Sequence, residues 1–339
     1  MTIYENVPLK KYNTFGLDYI ADKLIHIKNE NEAVDLFNGK ISLGKPLLIL
    51  GGGSNILFTS DYNGTIIYPA IKGIKIEEKS DDTVLVSAGA GLNWDEFVFW
   101  AVSNGYGGLE NLSLIPGNTG ATPIQNIGAY GVEVKDVIES VKTLSTADGS
   151  TRIFNKNECE FDYRKSIFKN KEKGRYLVTR VYYRLSLNPV LNLNYGSLNE
   201  EINKLGKVSL KNVRQSVINI RRSKLPDPEI MGNAGSFFKN PVVPGSLAND
   251  LKIRFPDMPL YEEKDGFKKL AAGWLIDQCG WRGKRKGDAG VHEKQALVLI
   301  NCGQASGMEI YDLSCDIKRS VNDKFGVDLE REVEIVGSI

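Results

Sequence analysis

Apolar residues recur at helical spacing in several parts of the chain. Trp94, Phe97, Val98, Ala101 and Val102 share one face. Asn93 stands ahead of them as a cap, and the cluster Gly105, Tyr106, Gly107 and Gly108 ends the run. Ile310, Leu313, Ile317, Val321 and Phe325 form the longest stripe, over 308–325, with Gly326 as its stop. Val213, Val217 and Ile220 predict an amphipathic helix over 210–222, which Pro226 and Pro228 prevent from continuing. Shorter helices are expected through Phe37, capped by Asn29 or Asn31, and over 270–279, closed by Gly280. Strands are predicted at 46–50, 65–68, 84–88, 137–144, 176–185, 295–301 and 329–336 from apolar runs and alternation. Strands and helices do not alternate strictly, so the pattern is α+β and not doubly wound.

Two stretches break this pattern. Ile115 to Gly131 reads IPGNTGATPIQNIGAYG and holds four glycines and two prolines. Neither a regular helix nor a central strand tolerates such a run. Upstream, the apolar run Leu48 to Leu50 feeds Gly51, Gly52, Gly53, Ser54 and Asn55. Loops of this kind turn backbone amides toward one point, and converging amides bind anions, phosphates above all. Two of them in one half of a chain suggest a ligand with two phosphates. The first departs from the dinucleotide fingerprint, because Ile56 stands where the third glycine belongs, and neither ends in the Gly-Lys-Ser/Thr of a P-loop.

At 339 residues the chain is too long for one compact core. The expected division is a region of two subdomains over 1–206, with their boundary near 55–65, a second domain over 207–328, and a returning terminal strand over 329–339. A net charge of +1 argues against a nucleic-acid partner. No apolar run reaches the ~18 residues of a membrane span, and the first residues lack the apolar core of a signal peptide. Cys159, Cys279, Cys302 and Cys315 lack metal-ligand spacing and read as reduced thiols of a cytoplasmic protein. With only His26 and His292, a histidine-rich metal site is excluded, and no metal is expected.

Three residues carry candidate chemistry, each with a plainer alternative. Ser236 lies in a third glycine-bearing stretch, Gly232 to Pro241, which reads as a loop and holds Gly235-Ser236-Phe237-Phe238-Lys239-Asn240-Pro241. It can be a nucleophile, a proton donor or a turn residue, but no histidine is near in sequence and Phe238 breaks the G-x-S-x-G elbow. Arg164, in Tyr163-Arg164-Lys165-Ser166-Ile167-Phe168-Lys169, is a surface cation or a planar carboxylate partner. Glu330, Glu332 and Glu334 alternate, as on a solvated strand face.

The glycine loops, together with these three segments, resemble the UDP-N-acetylenolpyruvoylglucosamine reductase family, from Asn13 to Val336 and in family order. The resemblance implies a two-subdomain FAD-binding fold of the vanillyl-alcohol-oxidase (PCMH) type with a C-terminal α+β substrate domain. It implies noncovalent FAD on Gly51, Gly52, Gly53, Ser54 and Asn55, and on Ile115, Pro116, Gly117, Gly120, Ala121, Gln125, Asn126, Gly128, Ala129, Tyr130 and Gly131. Arg164 matches the arginine that binds the enolpyruvyl carboxylate, Ser236 the serine that protonates the substrate carbanion, and Glu332 the catalytic glutamate of Leu-Glu-x-Glu-Val. Many members have proline at x, where this chain has Arg331. Tyr195 resembles the tyrosine that closes over the sugar nucleotide in the longer form of the enzyme. Arg221 and Lys224 look like diphosphate contacts, and Asn240 and Gln295 match substrate-binding amides. The reaction implied is reduction of UDP-N-acetylglucosamine enolpyruvate to UDP-N-acetylmuramate, with NADPH as co-substrate, by a cytoplasmic monomer that makes a peptidoglycan precursor. Other flavin oxidoreductases on the same fold, and a nucleotide-binding module without chemistry, are the competing readings.

Overall fold

The computed structural model describes residues 1–40 and 43–338; Ile41, Ser42 and Ile339 lie outside the described residues. The chain forms two compact units, one of residues 1–7, 21–52 and 63–223, the other of 8–20, 53–62 and 224–339. One of the five places where the chain passes between them is the Gly52–Gly53 bond.

The first unit is built on two sheets. One is antiparallel, in the order Thr151–Asn155, Ile138–Ser145, Tyr176–Ser186, Thr83–Gly89, Ile74–Lys79. Val181, Tyr183 and Leu185 of its central strand point inward at every second position, as a half-buried strand requires. They meet Trp94, Phe97 and Val98 of the helix Trp94–Ser103, whose first turn Asn93 caps by accepting from the Glu96 amide at 3.1 Å. The apolar stripe of that helix is therefore core. The other sheet runs Thr2–Pro8, Ile20–Ile27, Tyr62–Pro69, Leu47–Ile49. The strand predicted at 46–50, whose apolar composition implies burial, is its edge, and only half-buried, since it has a neighbour on one side alone. Leu198, Ile202, Val213, Val217 and Ile220 make a further small core, through which the helix Leu210–Lys224 belongs to this unit.

That helix is also tied down by charge. Arg214 forks onto Asp95 at 2.6 and 2.7 Å, and the Leu114 amide donates to the same carboxylate at 2.5 Å. Burial works against the Asp95 charge, but these donors and the Arg214 and Arg221 charges outweigh it and hold the carboxyl below its usual range. Because the folded pKa is depressed, the stabilisation is full above the unfolded carboxyl pKa of about 3.9 and is lost as pH falls through the folded value. Asp95→Asn should thus cost about 2 kcal/mol at neutral pH, and the difference from wild type should shrink as the buffer is taken below pH ~4, as read by urea unfolding.

The second unit is organised by the helix Gly307–Phe325. Its N-terminus carries a reciprocal capping box between Ser306 and Glu309, and Gly326 ends it in the left-handed conformation. Ile310, Leu313, Ile317, Val321 and Phe325 are buried in one core with Phe237, Phe238, Leu275 and Leu299. The helix Ala272–Gln278 packs there too. The segment 232–241, whose glycines suggested a loop, begins as a strand, Gly232–Ser236, paired antiparallel with Val298–Asn301 and bulged between Asn233 and Ser236. The terminal strand is shorter than alternation implied. Glu334–Val336 pairs in parallel with Ile56–Phe58, and 329–333 is irregular apart from a single bridge between Arg331 and Phe238. Among the described residues no helix is long and apolar enough to cross a membrane, and no group of His, Cys, Asp and Glu could hold a metal ion.

Candidate active site

In the first unit, the two glycine loops meet backbone to backbone. A Cβ at Gly52 would stand 2.7 Å from the Cα of Gly117, and one at Gly51 would stand 3.3 Å from the Ala121 Cβ. Such an approach is open to glycine alone at position 52. The long loop divides its amides between two tasks. Those of Thr119 and Gly120 donate to Leu92 and Ala90, those of Ala121, Thr122, Ile124 and Ile127 close local turns, and the Thr119 hydroxyl donates to the Gly89 carbonyl at 2.5 Å. Tyr183 supports the turn from below through the Thr122 hydroxyl at 2.8 Å. By contrast, the amides of Gly51, Gly52, Gly117 and Asn118 make no hydrogen bond among the described residues. The side-chain nitrogen of Asn118 is also buried without a partner. Of the four residues only Asn118 is buried, and its unpaired side-chain nitrogen is costly unless a ligand takes it; the half-buried amides of Gly51, Gly52 and Gly117 are left open to one.

The segment 162–169 is stitched onto this loop. Ser166 donates to the Ile124 carbonyl at 2.6 Å, Lys169 to the Gln125 side chain at 3.3 Å, and Asn126 to the Asp162 carbonyl at 3.1 Å. Arg164 occupies a left-handed backbone conformation, φ 54°, at the tip of a tight Asp162–Lys165 turn. Non-glycine residues rarely sit there. Its fork donates to the carbonyls of Gly128 at 2.6 Å and Asn126 at 3.3 Å, so the glycine loop sets the direction of the guanidinium.

Beyond Gly128 the loop turns at Tyr130, whose ring meets that of Tyr195 edge-on at 5.7 Å. Asn111 donates to the carbonyls of both Tyr130 and Asn192, which pins the Tyr195 segment to the loop. Tyr195 itself is exposed. Burial pushes the Tyr130 phenol up and the Arg221 guanidinium down, and each lies in the other's field. The Arg221 Nε is buried without a hydrogen-bond partner among the described residues. Lys224, one turn further, is exposed.

In the second unit, Gly53 takes φ 64°, and a Cβ there would strike the Tyr12 carbonyl oxygen at 1.9 Å. Its own carbonyl accepts from the Thr14 amide at 3.1 Å. Asn55 donates to the carbonyl of Glu332 at 3.1 Å, and the Glu332 amide donates to Phe237 at 2.8 Å. The structure therefore brings Asn55, Glu332 and the Ser236 segment together. Ser236 is exposed, between buried Ala234 and Phe237, and its hydroxyl makes no hydrogen bond among the described residues. Asn240 and Gln295 lie near the start of the helix Ala272–Gln278. The Asn240 side-chain oxygen, Oδ1, accepts from the Ala272 amide at 2.9 Å, while a Cβ at Gly273 would stand 3.1 Å from the Gln295 side-chain oxygen.

Two family models match the chain. The FAD binding domain matches residues 22–155, and the C-terminal domain of UDP-N-acetylenolpyruvoylglucosamine reductase matches 227–336. The reductase of that name from Flavobacterium johnsoniae is 44% identical over 99% of this chain and 100% of its own length. Those from Bacteroides fragilis and Pseudomonas aeruginosa are each 46% identical, over 97% and 98% of this chain and 98% of their own lengths. The chain belongs to the UDP-N-acetylenolpyruvoylglucosamine reductase family. A crystal structure of the reductase from Thermus caldophilus superposes with a TM-score of 0.69 at 25% identity, covering 99% of this chain and 100% of that one.

Membership makes the chain a flavin-dependent oxidoreductase with FAD as its cofactor. The residues present fit that group. The unpaired amides at Gly51, Gly52, Gly117 and Asn118 are donors suited to phosphate, and no side chain at the glycines fills the space beside them. Asn118 was absent from the candidates read off the sequence. Nothing in its type marks it, since asparagine is common in turns, and only its buried, unpartnered side-chain amide sets it apart.

Proposed function

We propose that the protein reduces UDP-N-acetylglucosamine enolpyruvate to UDP-N-acetylmuramate with electrons from NADPH, in the synthesis of peptidoglycan precursor. The observation that supports this most is the backbone pairing of the Ser236 segment with Glu332, in a chain of this family. FAD, when bound, supplies a two-electron carrier that accepts hydride from NADPH and delivers it to the terminal vinyl carbon of the substrate.

The chain's own residues then have three tasks. Arg164, its fork aimed by the Gly128 and Asn126 carbonyls, pairs with the enolpyruvyl carboxylate and stabilises the negative charge that moves onto it. Glu332 sits on a backbone fixed at both its amide and its carbonyl; because a bare carboxylate would repel the enolate, it helps as a protonated acid or by tuning its neighbours, and not as a free anion. Ser236 donates its hydroxyl proton to the carbon next to the carboxylate, and the resulting alkoxide regains a proton from water. A serine hydroxyl is a weak acid, so it serves only because the acceptor is a strongly basic carbanion. This is also why no histidine is required. Arg221, Lys224, Tyr195, Asn240 and Gln295 hold the sugar nucleotide, the two cations taking the diphosphate. Asn118 joins the glycine loops in holding the cofactor phosphates. We also propose a cytoplasmic monomer, since NADPH and a nucleotide sugar are small diffusible substrates.

An absorbance spectrum of the purified protein tests the whole reading. The flavin band should bleach with anaerobic NADPH and return when the enolpyruvyl sugar nucleotide is added. A band that bleaches and does not return would remove the substrate from the proposal.

A further inference from the structure

We propose that Arg331 is a positioning residue, which clamps the irregular segment bearing Glu332 to the helix Gly307–Phe325. The inference rests on the role given to Glu332 above. From 329 to 333 the chain has no ladder of its own, and a single bridge to Phe238 is all the strand structure it forms. Backbone bonds to Asn55, Phe237 and Lys239 tie the stretch to its neighbours, and Lys318 ties Leu329 to the helix; the middle of the stretch, beside Glu332, needs a hold of its own against that helix.

Arg331 supplies the hold. Its Nε donates to the Ser314 hydroxyl at 2.8 Å, its Nη2 donates to the Cys315 sulfur at 2.9 Å, and its guanidinium lies 4.5 Å from the centre of the Tyr311 ring. Tyr311, Ser314 and Cys315 are spaced i, i+3 and i+4, so they form one patch on one face of the helix. The Ser314 hydroxyl spends its own proton on the Tyr311 carbonyl, at 2.5 Å, which leaves its lone pairs for the arginine. Ser314 is fully buried, so without Arg331 that oxygen would lack a donor. The helix is a firm anchor, because Ile310, Leu313, Ile317, Val321 and Phe325 are locked in the core.

The backbone passes this hold to the reacting groups. The Lys239 amide donates to the Glu330 carbonyl at 2.9 Å and the Glu332 amide to the Phe237 carbonyl at 2.8 Å, one bond on each side of Arg331. Fixing position 331 thus fixes Glu332 and also the strand that carries Ser236, one residue before Phe237. A misplacement of about 1 Å can cost about a hundredfold in rate.

The test is Arg331→Ala in the flavin-loaded, full-length protein, with Arg331→Lys and Ser236→Ala measured beside it. Reoxidation of the reduced flavin by the enolpyruvyl substrate should slow by about 10–100-fold in Arg331→Ala, while reduction by NADPH stays nearly unchanged. Amide hydrogen exchange at Glu332 and Lys239 should quicken, a readout independent of turnover. Arg331→Lys, which keeps one charged donor, should recover part of both. Unchanged exchange and reoxidation, or equal losses in both half-reactions, would overturn the clamp. If Ser236→Ala alone reoxidises normally, the reading of the site fails, and the exchange data still judge whether Arg331 holds the segment.

Discussion

Replacing Ser236 with alanine should leave reduction of the flavin by NADPH nearly unchanged and slow its reoxidation by the enolpyruvyl substrate by about 10²–10⁴-fold, the usual worth of a positioned general acid. The structure makes this a clean experiment. The Ser236 side chain is exposed and makes no hydrogen bond among the described residues, so removing the hydroxyl leaves no buried group unpaired. The segment is held instead by its neighbours. The Phe237 amide donates to Leu297 at 2.8 Å, the Gly235 amide to the Asn233 side chain at 2.9 Å, and Phe237 and Phe238 are buried. None of these contacts changes in the variant. Stopped-flow absorbance separates the two half-reactions. Equal losses in both would mean that Ser236 shapes the site without giving up a proton. Full reoxidation would mean that the proton comes from elsewhere.

Gly52→Ala should weaken FAD binding by about 5- to 150-fold and leave the protein folded. The added methyl would lie 2.7 Å from the Gly117 Cα and 3.2 Å from its carbonyl carbon. Backbone cannot step aside as a flexible side chain can, so the two loops must separate. Overpacking of this kind costs roughly 1–3 kcal/mol, and 1.4 kcal/mol is tenfold in affinity. The damage should fall on the cofactor more than on the fold, because the amides at Gly51, Gly52, Gly117 and Asn118 are not tied to other parts of the chain. The amides of Thr119 and Gly120, which anchor the loop to Leu92 and Ala90, stay in place. Flavin released on dilution, followed by its fluorescence, gives the dissociation constant directly. A variant that keeps FAD as tightly as wild type would show that the cofactor does not depend on this contact between the loops.

Much of this was legible without coordinates wherever the signal is local. The stripe from Ile310 to Phe325 and its Gly326 stop could only be a helix with one buried face, and it is. Asn93 and the alternation of the strand at 176–186 were read correctly because a cap and a period of two depend on nearest neighbours in the chain. The same holds for the glycine loops as places where no regular element can form. Local signals misled where the partner lies far away. The strand Gly232–Ser236 is glycine-rich and looks like a loop until Val298–Asn301 is beside it. The alternating carboxylates at Glu330, Glu332 and Glu334 imply one continuous strand, yet pairing with Ile56–Phe58 begins only at Glu334.

The sequence by itself therefore determined the elements, the two loops, and through its motifs the family. Tertiary structure alone decided which donors are spent. Thr119 and Gly120 look as able to hold a phosphate as Gly52 and Gly117, but the amides of the first pair are bound to the carbonyls of Leu92 and Ala90 and those of the second are not bound among the described residues. The same is true of Arg164, whose fork is aimed by two carbonyls of a loop 36 and 38 residues away, and of Arg331, whose helix partners lie 16 and 17 residues back. A hydrogen bond carries no mark in the sequence of either partner, because any carbonyl or hydroxyl can accept it. Only folding brings one acceptor within 3 Å of one donor, and with that it settles which groups remain to meet a ligand.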